Sequence, residues 1–242
     1  MAAKRQGTRG KRKATARGSA SKSRGERSAP SERRAPLCFV LMPFGQKADA
    51  TGQIIDFDAV YEEVLRPAIQ QAGLEPLRGD EQVSGGIVHK PMFESLVLCE
   101  YAVADLTTAN ANVFYELGVR HAVKPRSTVM VFADNARIPF DLGPVRCVPY
   151  GIDASGQPTH TKRARDALAA TLRAARKPVT DSPVFQLLQE MKPPDVSHLK
   201  TDEFRSRVDY SQSLKQRLAA ARERGGAEGK RIWRSLGGLE DE

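Results

Sequence analysis

Along this chain, short unbroken apolar runs alternate with stretches whose apolar positions recur every three to four residues. The first run, Leu37-Cys38-Phe39-Val40-Leu41-Met42, stops at Pro43-Phe44-Gly45. A run of that length closed by a turn signal predicts a central strand buried on both faces. The following QKADATGQIIDFD is polar and contains glycine, so a surface loop is expected there. Asp56 or Asp58 then caps a helix whose inner face holds Phe57, Val60, Tyr61, Val64, Leu65, Ala68 and Ile69. Pro67 is expected to kink that helix, and Gly73 to end it. Leu74 to Leu77 predicts a short strand before the loop RGDEQVSGG.

The alternation continues. Ile87 to Glu100 predicts a second helix, with Ile87, Met92, Phe93, Leu96 and Val97 turned inward. Tyr101 to Leu106 predicts a strand that carries Asp105 at its end. After the loop TTANAN, Asn112 is expected to cap a third helix, NVFYELGVRHAVK, closed by Pro125. Thr128 to Ala133 is a clear buried strand, and Val145 to Tyr150 a weaker one. Strands and helices in this order predict an α/β class fold, with a mostly parallel sheet covered on both faces. Such sheets take ligands outside the C-terminal ends of their strands. MPFG, RGDE and DLTTANAN all lie at such ends.

The last third reads as helical. Ala164, Leu168, Leu172 and Ala175 form an apolar stripe in an otherwise basic helix over Thr161 to Lys177. Phe185 starts a short helical piece, and Asp202 to Glu223 predicts a longer helix. The ending RIWRSLGGLEDE, with Trp233, reads as part of another. The organisation expected is a basic tail over 1–35, an α/β domain over 36–155 and a helical extension over 156–242.

Charge sharpens that division. The 242 residues carry a net +9. Residues 1–34 hold twelve Lys or Arg against two acids, a net +10, which leaves the remainder near −1. The tail has no aromatic residue and too little apolar area to offset its ordering entropy, so it is expected to be disordered. Its charge suits non-specific contact with nucleic acid, although nothing is interleaved for base stacking; a plain solubilising extension is the alternative. Cys38, Cys99 and Cys147 lack metal-ligand spacing and read as free thiols in a reducing cytoplasm. No apolar run is long enough to span a bilayer, so no membrane association is expected. No metal site and no cofactor are called for.

Candidate chemistry centres on two acids. Asp105 is the polar stop on the strand YAVADL, and Glu116 lies one turn after Asn112 on the next helix. A carboxylate pair there would orient a sugar hydroxyl and attack, or stabilise, an electron-poor anomeric carbon. The plainer alternative is a turn cap and a solvated helix acid. Tyr115 and Arg120 are expected near the same region. Pro43, Phe44 and Gly45 form a turn whose amides suit a sugar or phosphate, and Asp80 sits in a glycine-containing loop able to approach a ligand. Gly118, inside the helix, suggests close packing or close ligand approach. His89 and His121 are single histidines outside any ligand pattern. Walker, GxGxxG and GxSxG motifs are absent.

Taken together, MPFG, DFDAVYEEVLRPAIQQAGLEPLRGDE, GGIVHKPMFESLVLCEYAVADLTTANANVFYELGVRHA and STVMVFA resemble the nucleoside 2-deoxyribosyltransferase-like (deoxyribohydrolase-like) superfamily. That superfamily is related in fold to TIR domains. The closer resemblance is to the bacterial TIR-like, or kinase TRAF-binding, N-terminal module, over roughly residues 36–200. The resemblance implies a flavodoxin-like three-layer sandwich. It implies Glu116, in its ELG context, as the nucleophile at the sugar C1′, with Asp105 and Asn112 orienting the sugar and Pro43-Phe44-Gly45 near sugar or phosphate. The chain lacks the transferases' DxGT-type stretch and has Asn110 to Tyr115 instead. The implication is therefore N-glycosidic bond chemistry on a nucleoside, nucleotide or NAD, in an effector of bacterial conflict or stress signalling. A non-catalytic nucleotide-sensing or protein-interaction module, self-associating or bound to a signalling partner, is the other reading.

Overall fold

The computed structural model describes residues 34–79, 89–136, 147–188, 190–199 and 201–224. The expectations for the basic tail, for Asp80 and its glycine loop, for the first residues of the second helix and for the Trp233 segment lie outside those residues.

Five parallel strands and one short antiparallel strand make the main sheet. They are β1 (Leu37–Leu41), β4 (Glu75–Arg78), β5 (Tyr101–Asp105), β6 (Thr128–Ala133), β7 (Cys147–Ile152) and β8 (Pro158–Thr159), in the spatial order β4-β1-β5-β6-β7-β8. Only the β7–β8 pair is antiparallel. The α/β class and the mostly parallel, covered sheet expected from the sequence are thus observed. The edge position of β4 explains why Pro76 is tolerated, since the lost N–H faces no further strand.

Every residue of β1 is buried because both faces of the sheet are covered. Alternate side chains go to opposite faces. Cys38, Val40, Val103, Val129 and Val131 pack under the helical run α1 (Phe57–Val60), a π-helical turn (Tyr61–Leu65) and α2 (Arg66–Gln71), together with α5 (Thr161–Ala174). Leu37, Phe39, Leu41, Ala102, Ala104 and Met130 pack on the other face, under α3 (His89–Leu98), α4 (Ala111–Val123) and α7 (Thr201–Arg224). α6 (Pro183–Leu187) follows α5 in the chain. α5 is therefore part of one helical layer, since Ala164, Leu168, Ala169 and Leu172 sit in the core, although the sequence boundary at 155 places it in the extension. α7 contributes Phe204 and Val208, one turn apart, to the opposite core.

One local expectation is corrected and two are made more specific. The stretch after Gly45 is not a plain loop: β2 (Gln46–Ala48) and β3 (Ile54–Asp56) form a hairpin. The Asp49 carboxylate closes its turn, accepting from the amides of Thr51 and Gln53 and the Thr51 hydroxyl. Gly156 (φ +80°) packs against this hairpin so closely that a Cβ would lie 1.8 Å from the Ile54 carbonyl oxygen. Pro67 lies within the continuous helical run, directly after the π-helical turn Tyr61–Leu65, so the ladder departs from α-helical spacing just where the proline's missing N–H interrupts it. Of the two candidate caps, Asp56 is the one used at α1, accepting from the Ala59 amide at 3.0 Å.

Among the described residues, no helix is long and apolar enough to cross a membrane. Cys38 and Cys99 are buried free thiols, and Cys147 is half-buried.

Candidate functional site

β1 has β4 on one side and β5 on the other, so successive crossovers leave it in opposite directions. That reversal opens a crevice at the C-terminal ends of β1 and β5, the usual ligand position in a doubly wound sheet. A cavity of about 500 Å³ lies there, within the range that holds a nucleotide-sized ligand. Leu41, Met42, Pro43 and Phe44 form its floor and one wall, Pro91 and Met92 of α3 another, and Asn112, Val113 and Glu116 of α4 the third. Lys47, on β2, and Asn110 complete its polar fringe.

α4 brings its residues here through its N-terminal cap. The cap is Asn110, not Asn112: the Asn110 side-chain oxygen accepts from the amides of Asn112 at 2.9 Å and Val113 at 3.3 Å. The first turn thereby satisfies two of its own free amides. Shifting the helix start two residues earlier leaves Asn112 free to line the cavity, with Glu116 one turn further along the same face. Glu116 is half-buried beside apolar walls, and that desolvation raises its carboxyl above the ordinary glutamate range.

Asp105 does not line this cavity. It shares the parity of Val103, whose face lies under α1 and α5, whereas α4 covers the face of Ala102 and Ala104. Its carboxyl is 1% exposed and closed into a ring of short contacts. The Thr107 hydroxyl lies 2.6 Å from Asp105 Oδ1, the Tyr150 hydroxyl 2.7 Å from Asp105 Oδ2, and the two hydroxyls 2.7 Å from each other. The amides of Thr107 and Ala133 donate into the same ring, to Asp105 Oδ1 and Thr107 Oγ1. Three oxygen–oxygen contacts need three protons, and two hydroxyls supply two. The count closes when the Asp105 carboxyl carries the third. Burial acts in the same direction, raising the Asp105 carboxyl against the lowering effect of its hydrogen bonds. Asp105 therefore ties the ends of β5, β6 and β7 together instead of presenting a charge to a ligand.

The other expected site residues divide similarly. Pro43 and Phe44 line the cavity. Gly45 (φ +64°) shapes the turn behind them, its carbonyl accepting from Phe57 N and its amide donating to Asp58 Oδ1 at 3.3 Å. Tyr115 is 61% exposed and meets the edge of Phe93, with ring centroids 6.2 Å apart, outside the cavity lining. Gly118 has nothing within 4 Å of where a Cβ would sit, so close packing does not explain it. Arg120 is fully buried on the inner side of α4, donating to the carbonyls of Leu96, Cys99 and Glu100. It caps the C-terminal end of α3 and does not reach the cavity. Burial lowers its guanidinium to about 10. His121 is also buried, and burial, helped by Arg120, lowers its imidazole to about 4; it is a neutral core residue. His89 opens α3. Lys47, Pro91 and Met92 were not expected in the lining: Lys47 reaches it only because the hairpin forms. No group of three or more His, Cys, Asp or Glu among the described residues has a metal-binding arrangement.

No family model, no curated protein and no solved structure matches this chain.

Proposed function

We propose that the crevice binds a nucleoside, nucleotide or NAD and cleaves its N-glycosidic bond, with Glu116 as the acting carboxylate. The observation that carries this reading is the placement of Glu116, a half-buried acid on an apolar-walled cavity at the switch point of the sheet. The resemblance of the DLTTANANVFYELG stretch to nucleoside 2-deoxyribosyltransferase-like proteins, with Glu116 in the nucleophile's position, supports it.

In the step proposed, a Glu116 carboxylate oxygen bonds to the anomeric carbon as the bond to the base nitrogen breaks. The base leaves with the electron pair: nicotinamide departs neutral, whereas the base of a nucleoside or nucleotide takes a proton from water, leaving hydroxide. A second water then attacks the anomeric carbon, breaking its bond to Glu116 and passing its proton to that hydroxide or to solvent, which releases the sugar and restores the carboxylate. Asn112 and Asn110 offer amide groups to the sugar hydroxyls. Asp105 acts only by fixing the strand ends.

A sensing module that binds without turnover is the second reading. It is favoured by one observation: among the described lining residues Glu116 is the single acid, whereas glycosidases generally use two carboxyl groups. Base release from a panel of NAD, nucleoside monophosphates and deoxynucleosides decides between them. Free base from the wild type and none from Glu116→Gln is expected. Tight ligand binding with no base release from the wild type would replace the enzyme by the sensor.

A further inference from the structure

Resting on the reading of the crevice as a nucleoside-type pocket, we infer that its ligand carries a phosphate, held by Lys47, and that a free nucleoside is a poor occupant. Two features of the β1–β2 wall lead there. Phe44 presents a ring 41% exposed at the cavity. The Arg78 guanidinium lies over the ring at 5.4 Å, and Arg78 is itself fixed by Asp58 at 2.7 Å. The same Asp58 accepts from the Gly45 amide, so ring, turn and hairpin entry are braced as one piece. A pre-oriented aromatic face of this kind suits a flat heterocycle.

Lys47 follows three residues later, on the exposed strand β2, and lines the same cavity. It makes no hydrogen bond or ion pair among the described residues, and it is the one cation of the described lining. The obvious competing anion site, the N-terminus of α4, is already filled from within, because Asn110 takes the amides of Asn112 and Val113. An anionic group entering the crevice therefore has Lys47 as its partner, while Glu116 on the opposite wall repels it. That polarity orients the ligand, with its phosphate toward the hairpin and its anomeric carbon toward α4. A nucleoside would leave Lys47 unused.

Equilibrium binding tests this with the full chain and the four ribonucleosides, the four deoxynucleosides and their 5′-monophosphates. At least one monophosphate should bind about tenfold more tightly than its nucleoside, as a charge-assisted contact provides. The preference should shrink as salt is raised. Lys47→Gln should bring the pair within about threefold by weakening only the monophosphate, as loss of a single charge contact would. Phe44→Ala should weaken both members of the pair alike. Equal affinity for nucleoside and monophosphate, a preference that survives Lys47→Gln, or no binding of any monophosphate would overturn the inference. Base release measured on the same ligands separates the two ideas. Release without a phosphate preference leaves the glycosidic reading standing and removes this one, and a phosphate preference without release does the reverse.

Discussion

Asp105 and Glu116, the two candidate acids, lie on opposite sides of the sheet and are treated in opposite ways. Asp105, on the α1/α5 side, is sealed and hydrogen-bonded at both carboxyl oxygens. Glu116, on the α4 side, is half-buried against apolar walls, with no hydrogen bond among the described residues to hold it. Desolvation raises both carboxyls, yet only one is left with its oxygens open to a ligand. A raised carboxyl is thus a poor guide to function until its partners are counted. The acid whose surroundings already satisfy it is structural, and the acid left unsatisfied beside a cavity is the one able to react.

The comparison breaks most easily at Glu116. Glu116→Gln should lower base release by at least about a hundredfold, the usual scale for loss of an essential carboxyl. Its melting temperature should stay close to that of the wild type, because Glu116 makes no hydrogen bond among the described residues. The pH dependence sharpens the point. An attacking carboxylate must be ionised, so activity should rise with pH through an apparent value above the ordinary glutamate range. An acid limb at or below that range would contradict the desolvated position.

Asp105 gives the next largest effect, now on stability. Asp105→Ala removes the centre of the ring and leaves two buried hydroxyls short of partners, a loss of about 1–3 kcal/mol. Asp105→Asn should behave differently, since an amide keeps the shape of the carboxyl, can accept from Thr107 and can donate to the Tyr150 hydroxyl oxygen. At pH 7 its melting temperature should match or exceed that of the wild type. The wild type should also lose stability relative to Asp105→Asn as pH rises from about 4, the unfolded aspartate value. There the unfolded chain releases a proton that the folded one retains until its raised value is passed. A wild-type advantage that grows with pH would show that Asp105 is ionised.

Much of the fold was legible because its signals are local. The unbroken run Leu37 to Met42 can be satisfied only between two covered faces. The three- and four-residue spacing of α1, α2 and α5 marks which side each turns inward. Strand parity puts Asp105 on the side of Val103, but the face that α4 covers depends on the crossover, which no local pattern states. The two acids were therefore read as a pair although the sheet lies between them. Arg120 was misplaced for a similar reason: its carbonyl partners at 96, 99 and 100 are distant in sequence. The α4 start was ambiguous because Asn110 and Asn112 are equally good caps by type. Hairpin β2–β3 escaped notice because it is held by the Asp49 turn and by Gly156 from far along the chain, not by an apolar pattern.

The smallest expected effect tests the reading of α4 itself. Gly118 faces open space in a helix interior, so Gly118→Ala should stabilise by up to about 1 kcal/mol with base release unchanged. A fall in activity or ligand affinity would mean that a ligand approaches the backbone there.

The most direct measurement is base release by Asp105→Asn and Glu116→Gln in one assay, with the melting temperature of each recorded. The division of roles described here predicts that Asp105→Asn keeps most of the wild-type rate and that Glu116→Gln, folded normally, loses it. A folded Asp105→Asn as inactive as Glu116→Gln would put both carboxyls in the chemistry and contradict that division.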